Sequence, residues 1–238
     1  MVVVVIPARM GSTRFPGKPL ADLCGKPMVQ WVYERALESR VADRVIVATP
    51  DAEIADAVQR FGGEAAMTSA DHQTGTDRIA EVAEGLDAEF YLNVQGDEPL
   101  IRPETIRSCA EALLRRTAPV ASVYDALEET AAEDPNIVKV VMDVHERALY
   151  FSRSPIPYPR NPRQGLWKHI GIYGYTRAAL LAFAGWQPTP LESAEGLEQL
   201  RFLEHGTPIQ MARGRGTELA VDTPEQLERV KSIMEKEQ

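Results

Sequence analysis

The chain is poor in the residues that mark specialised protein classes. It has two cysteines, Cys24 and Cys109, in 238 residues. They match no metal-ligand spacing and are too few for a disulfide framework, so both read as reduced thiols, as in cytosolic proteins. It also lacks a basic surplus: 26 Lys and Arg face 35 Asp and Glu, a net charge of -9. Non-specific grip on nucleic acid needs the opposite balance, so no nucleic-acid partner is expected. No stretch approaches the roughly 20 apolar residues of a spanning helix. The opening MVVVVIPARM has only Val2 to Ile6 as an apolar run before Pro7, too short and without the basic start of a secretory signal. Neither a membrane span nor an export signal is therefore expected. There is no internal repeat and no low-complexity tract.

What remains is an ordinary globular composition, with 44% hydrophobic and 26% charged residues. The length suits one large domain, or one domain with an insertion. Val2 to Ile6 reads as a strand buried on both faces. A Gly/Pro-rich loop follows, then a helix over 28–39, a strand over 44–49, a helix capped by Asp51 and stopped by Gly62-Gly63, and a short strand over 64–67. A helix over 77–86 and a strand over 89–95 continue the alternation. That order predicts an α/β fold with a parallel sheet and right-handed crossovers. Further on come a helix over 103–116, a strand over 119–124, a hairpin over 137–152 and an extended loop carrying Pro155, Pro157, Pro159 and Pro162. A strand over 167–175, helices over 176–184 and 192–204, a strand pair over 208–222 and a helix over 224–237 complete the reading. Residues 135–175 form the candidate insertion within a single domain, 1–238.

Chemistry concentrates first in PARMGSTRFPGKPL, residues 7–20, directly after the first strand. Ligands of open α/β sheets bind beyond the carboxyl ends of the strands. Arg9, Arg14 and Lys18 supply cations, Ser12 and Thr13 hydroxyls, and Gly11 and Gly17 let backbone amides approach an anion. Amides, hydroxyls and point charges are what a triphosphate requires. The loop is neither a Walker A motif nor GxGxxG, because five residues separate Gly11 from Gly17 and Pro19 follows Lys18. A solvated, turn-rich surface loop is the plain alternative.

Two carboxylates stand out. Asp97, in QGDEP, lies just past the strand 89–95, where it faces the ligand crevice. Asp222 ends another strand; taken alone, D-T-P-E reads as a helix N-cap with Pro near the first turn. Glu98 is either a supporting acceptor or a solvated loop acid. Arg78 stands at a helix start, where an exposed salt bridge is the simple reading. His169, Gly171, Tyr173 and Tyr175 share one face of the strand WKHIGIYGY. Glu195, Glu198 and Gln199 share a helix face at i, i+3 and i+4, an arrangement that a solvated acidic face would also give.

In order along the chain, PAR-x-x-STR-x-PGKPL, ADHQTGTDR (70–78), NVQGDEPLI (93–101), ALYFSRSPIP (148–157), KHIGIYGY (168–175), LEQLR (197–201) and VDTPEQLERV (221–230) resemble the 3-deoxy-manno-octulosonate cytidylyltransferase family. The resemblance covers nearly the whole chain, with Ala220 standing where the pattern has Gly. It implies a doubly wound, mostly parallel α/β sheet of the nucleotide-diphospho-sugar transferase type, with a smaller inserted, β-containing dimerisation lobe at 135–175. It implies transfer of CMP from CTP to the anomeric hydroxyl of 3-deoxy-D-manno-octulosonate (Kdo), for lipopolysaccharide synthesis in the cytoplasm. Asp97 and Asp222 are then the ligands of Mg2+, and act in catalysis with Arg14 and Lys18. CTP is held by Arg9, Gly11, Ser12, Thr13, Arg14, Lys18, Arg78 and Gln95, the last two near the cytosine. The sugar acid is held by Arg153, His169, Tyr173, Glu195 and Gln199. A homodimer is implied as well. A cytidylyltransferase for another sugar acid (sialic acid or amino-Kdo) and a non-catalytic nucleotide-sensing module are the competing readings.

Overall fold

The computed structural model describes residues 1–11, 14–72, 74–161, 165–215 and 219–237. Strand β1 (Val2–Pro7) is buried from Val2 to Ile6. Its β-branched side chains suit a strand covered on both faces. The short β2 (Asp22–Leu23) and β3 (Lys26–Pro27) form a separate ribbon. Then α1 (Met28–Glu38), β4 (Arg44–Thr49), α2 (Ala52–Arg60), β5 (Glu64–Met67), α3 (Gly75–Gly85), β6 (Phe90–Asn93) and α4 (Pro103–Leu114) alternate as expected. Strand β7 (Val120–Leu127) leads into the hairpin β8 (Lys139–Met142) and β9 (Ala148–Ser152). The chain ends with β10 (Leu166–Thr176), α5 (Arg177–Ala184), α6 (Pro190–Glu195), α7 (Gln199–Glu204), β11 (Ile209–Arg213) and α8 (Pro224–Glu237).

The main sheet runs β11-β7-β10-β6-β1-β4-β5. Along this path only β10 runs against its neighbours; the β1–β4, β1–β6, β4–β5 and β7–β11 pairs are parallel. Alternate residues of β1 point to opposite faces, so both faces carry a core. Val4 and Ile6 pack with Val32, Ile106 and Leu113, from α1 and α4. Val3 and Val5 pack with Ile79, Leu180 and Phe202, from α3, α5 and α7. A third cluster joins Val221, Leu227, Val230 and Met234 to Leu23 and Met28, with Phe15 and Ala21 against it. This cluster brings the start of α8 beside the loop that follows β1.

The segment expected as an inserted lobe has two parts. The β8–β9 hairpin lies off the main path and touches β10 at Lys168–Lys139, whereas residues 173–176 of β10 pair with β6 inside the sheet. Several element boundaries differ from expectation, three of them near the site. Helix α3 starts at Gly75, not 77, because Thr74 and Asp77 form a reciprocal capping box. The helix expected over 192–204 is two helices, because Gly196 turns left-handed (φ 64). The strand pair expected over 208–222 has only β11 as a strand among the described residues. None of the helices formed by the described residues is long and apolar enough to cross a membrane.

Candidate active site

A cleft of about 370 Å3 opens at the carboxyl ends of β1 and β6. The loop after β1 forms one wall. Gly17, at φ 73, closes this loop by donating its N–H to Met10 O at 3.1 Å, so that amide is spent inside the turn. Met10 N–H donates to Asp51 Oδ2 at 2.7 Å. Asp51 stands at the N-cap position of α2, but its carboxylate anchors the loop rather than the helix. Arg9, Gly11, Arg14 and Lys18 all line the cleft. Ser12 and Thr13, also expected there, lie outside the described residues.

The opposite wall is the turn after β6. Gly96 is needed there: a Cβ would stand 2.9 Å from Pro7 O. This close approach sets Gln95 and Asp97 at the cleft mouth. Asp97 O accepts the Val221 N–H at 2.8 Å, which fixes the segment before α8 against the same turn. Ala220 keeps an ordinary backbone angle, so the residue in place of Gly leaves this tie intact.

Asp222 is not the cap of α8. Thr223 is, with its Oγ1 accepting Gln226 N–H at 3.4 Å while Gln226 Oε1 accepts Thr223 N–H at 3.0 Å. Asp222 is thereby free to reach across. Lys18 Nζ lies 2.9 Å from Asp97 Oδ2 and 3.1 Å from Asp222 Oδ1, and Arg14 Nη2 lies 3.0 Å from Asp222 Oδ2. Two carboxylates from distant parts of the chain therefore converge on one point, already marked by a cation. A compact all-oxygen pair of this kind fits Mg2+, which takes one or two carboxylates and completes its shell with phosphate oxygens and water. No group of three or more acidic, His or Cys ligands exists among the described residues. Burial, and then the Asp97 charge, push the Glu98 carboxyl up to about 8.

Arg78 is buried and forms no salt bridge with the described residues. Its guanidinium donates to Ser69 O at 3.0 Å and to Thr68 Oγ1. It orders the 68–69 loop and still lines the cleft. Burial, then the Arg9 charge, lower its pKa. His72 Nε2 contacts the Glu81 carboxylate.

A second cavity, of about 210 Å3, shares Gly75 and Gln95 with the cleft. Tyr173, Gln199 and Glu198 line it. The one-face reading of β10 holds although two extra residues bulge between Ile170 and Tyr173, because an insertion of two preserves the alternation. His169, next along that face, has its ring 5.3 Å from that of Tyr173 and its Nε2 2.8 Å from Ser122 Oγ. Burial lowers the His169 pKa to about 3 and raises that of Tyr173.

Glu195 does not line this cavity. The break at Gly196 removes the shared helix face, and the Glu195 carboxylate accepts Ser152 Oγ at 2.6 Å and Arg153 N–H at 2.8 Å. Arg153 in turn donates to Glu195 O (2.8 Å), Pro135 O (2.9 Å) and, at 3.5 Å, Gly196 O. Glu198 takes the place expected of Glu195. It accepts Thr76 Oγ1 at 2.8 Å, and burial raises its pKa. Asn93 and Thr76, which the sequence reading does not include, also line the cavity. The signal for Asn93 was a lone amide at the end of an otherwise apolar strand.

Comparison with known proteins identifies the family and the fold. A cytidylyltransferase family model matches residues 3–213. A 3-deoxy-manno-octulosonate cytidylyltransferase of Escherichia coli is 47% identical over 237 residues, covering 99% of this chain and 96% of the relative. One from Trichlorobacter lovleyi is 48% identical, covering 98% of each. The chain belongs to the 3-deoxy-manno-octulosonate cytidylyltransferase family. A solved CMP:2-keto-3-deoxy-manno-octonic acid synthetase, complexed with CTP, superposes with a TM-score of 0.97 at 46% identity, over 100% of this chain and 99% of the other. A 4-diphosphocytidyl-2C-methyl-D-erythritol synthase from Anaerococcus prevotii shares the fold at a TM-score of 0.67 and 13% identity. In this member of the family, the PGKPL, QGDEP and VDTPE motifs meet at the single point between Lys18, Asp97 and Asp222.

Proposed function

We propose that the chain transfers CMP from CTP to the anomeric hydroxyl of Kdo, releasing pyrophosphate. The observation that carries this reading is the convergence of Asp97 and Asp222 on Lys18 Nζ, at the edge of a cation-lined cleft that opens into a second, hydroxyl-friendly cavity. Arg9, Gly11 and Arg14 receive the triphosphate, together with Ser12 and Thr13. Gln95 reads the cytosine edge, and Arg78 holds the loop beside it. Asp97 and Asp222 would hold Mg2+, which when bound would supply charge neutralisation at the phosphates and ease loss of the attacking hydroxyl's proton.

The hydroxyl oxygen forms its bond to the α-phosphorus and releases its proton to water, while the bond from that phosphorus to the pyrophosphate oxygen breaks and its electron pair leaves with pyrophosphate. Most of the protein's contribution is positioning and charge. Lys18 and Arg14 offset the negative charge that grows on the leaving phosphates. On the acceptor side, Tyr173, Glu198, Gln199 and His169 surround the sugar. Arg153 is assigned to its carboxylate, in exchange for the long contact to Gly196 O.

The reading places the enzyme in the cytoplasm, as a supplier of activated sugar acid for lipopolysaccharide. A homodimer is proposed through the hairpin lobe, where Leu149 and Tyr158 are exposed. Light scattering of Leu149→Asp tests it: a monomer supports this surface, and an unchanged dimer refutes it. The activity is tested by pyrophosphate release with each of the four nucleoside triphosphates against Kdo, sialic acid and amino-Kdo. Release with CTP and Kdo is expected. Release with CTP and another acid moves the assignment to that acid. CTP binding without release under any pairing points to a sensing module.

A further inference from the structure

Two buried polar atoms have no hydrogen-bond partner among the described residues: Asn93 Oδ1 and Gln199 Nε2. Asn93 is 2% exposed and Gln199 3%. Both residues line the second cavity. They come from separate elements, Asn93 from the end of β6 and Gln199 from the start of α7. One orphan is an acceptor and the other a donor. Buried polar atoms of this kind are rare in folded proteins, and each calls for an explanation.

The surroundings restrict the partner. Asn93 shares the face of β6 that carries Tyr91 and points away from Leu92. Its side chain and that of Thr76 lie against the Tyr175 hydroxyl, and Thr76 donates to Glu198. The described lining of this cavity contains no Lys or Arg, and one carboxyl, Glu198. An anionic group is therefore poorly received there. A neutral group that both donates and accepts, which is what a hydroxyl does, satisfies both orphans.

We propose that Asn93 Oδ1 and Gln199 Nε2 are a donor–acceptor couple that reads the neutral, hydroxyl-bearing part of the sugar acid, and that Asn93 is a specificity-determining residue of the acceptor cavity. The proposal rests on the second cavity being the acceptor site. It also orients the acceptor: the hydroxyls enter this cavity, and the carboxylate stays outside it. An acceptor lacking the recognised hydroxyl leaves a buried amide unpaired. Sites built to bond a hydroxyl reject the analogue without it far more strongly than apolar pockets reject a missing methylene.

The test is kcat/KM, by pyrophosphate release, for Kdo and for analogues lacking each hydroxyl in turn, with wild type and Asn93→Ala. The wild type is expected to lose about 100-fold or more with at least one analogue. Asn93→Ala should lose about 10- to 100-fold with Kdo. It should then discriminate against that analogue by less than about threefold, with the KM for CTP unchanged. Equal discrimination by Asn93→Ala and wild type overturns the proposal. So does wild-type turnover of every analogue within about threefold of Kdo, a result that needs no variant to fold. No wild-type turnover with CTP and Kdo at all overturns the acceptor reading itself, which is a distinct result.

Discussion

Gly96→Ala isolates the geometry on which the site depends. The new methyl group would stand 2.9 Å from Pro7 O. Ordinary carbon–oxygen contacts begin near 3.3 Å, so about 0.4 Å must be found. Pro7 cannot supply it, because β1 is held between β4 and β6. The turn carrying Gln95 and Asp97 must move instead. Since Asp97 O holds Val221 N–H, the displacement passes on to Asp222. Overpacking of this sort costs about 1–3 kcal/mol of stability. Displacement of positioned groups by up to an ångström costs up to about 100-fold in rate, so kcat/KM should fall by about 10- to 100-fold. Gly85→Ala is the control, because a Cβ at the last residue of α3 meets nothing within 4 Å. Pyrophosphate release and urea unfolding are measured on both. If Gly96→Ala turned over CTP and Kdo like Gly85→Ala, the placement of Asp97 by this close contact would be refuted.

Other outcomes follow from buried charge. Arg201 is 5% exposed; its guanidinium donates to both oxygens of Glu192 and lies 4.1 Å from the Phe183 ring centroid. Arg201→Met strands the Glu192 carboxylate and should cost about 3–5 kcal/mol, with Arg201→Met/Glu192→Gln recovering part of it in chemical denaturation. His169 titrates at about 3 when folded against 6.5 when free. The unfolded chain therefore binds the extra proton first, and stability is full above pH 6.5 and declines as pH falls towards 3. That decline is about 2 kcal/mol by pH 5, and urea titrations at pH 7, 6 and 5 should show it flattened in His169→Gln.

Much of this was legible in the residues. The β-branched run Val2 to Ile6 could only be a buried strand, and the cations after it had to stand at its carboxyl end. The face shared by His169, Tyr173 and Tyr175 was readable because a two-residue bulge leaves alternation unchanged. The helix break was harder. Gly196 sits among good helix formers, so its left-handed cap competes with continuation of the helix and the break is not decided by the local sequence alone. That break decided whether Glu195 or Glu198 faces the cavity. The local signal at Asp222 pointed to a helix cap, but Asp-Thr-Pro offers two capping residues. The fold chose Thr223 and left Asp222 to meet Lys18. Asn93 showed in the sequence only as a lone amide ending an apolar strand, because its unpaired oxygen is a property of the folded chain.

The most direct test of the central claim is a magnesium titration of turnover with CTP and Kdo for wild type, Asp97→Asn and Asp222→Asn. The account predicts Mg2+-dependent release by the wild type. Each variant should lose at least about 100-fold in kcat at saturating Mg2+ while still binding CTP through Arg9, Arg14 and Lys18. Normal turnover by Asp97→Asn at saturating Mg2+ would contradict the assignment of this carboxylate pair as the metal site.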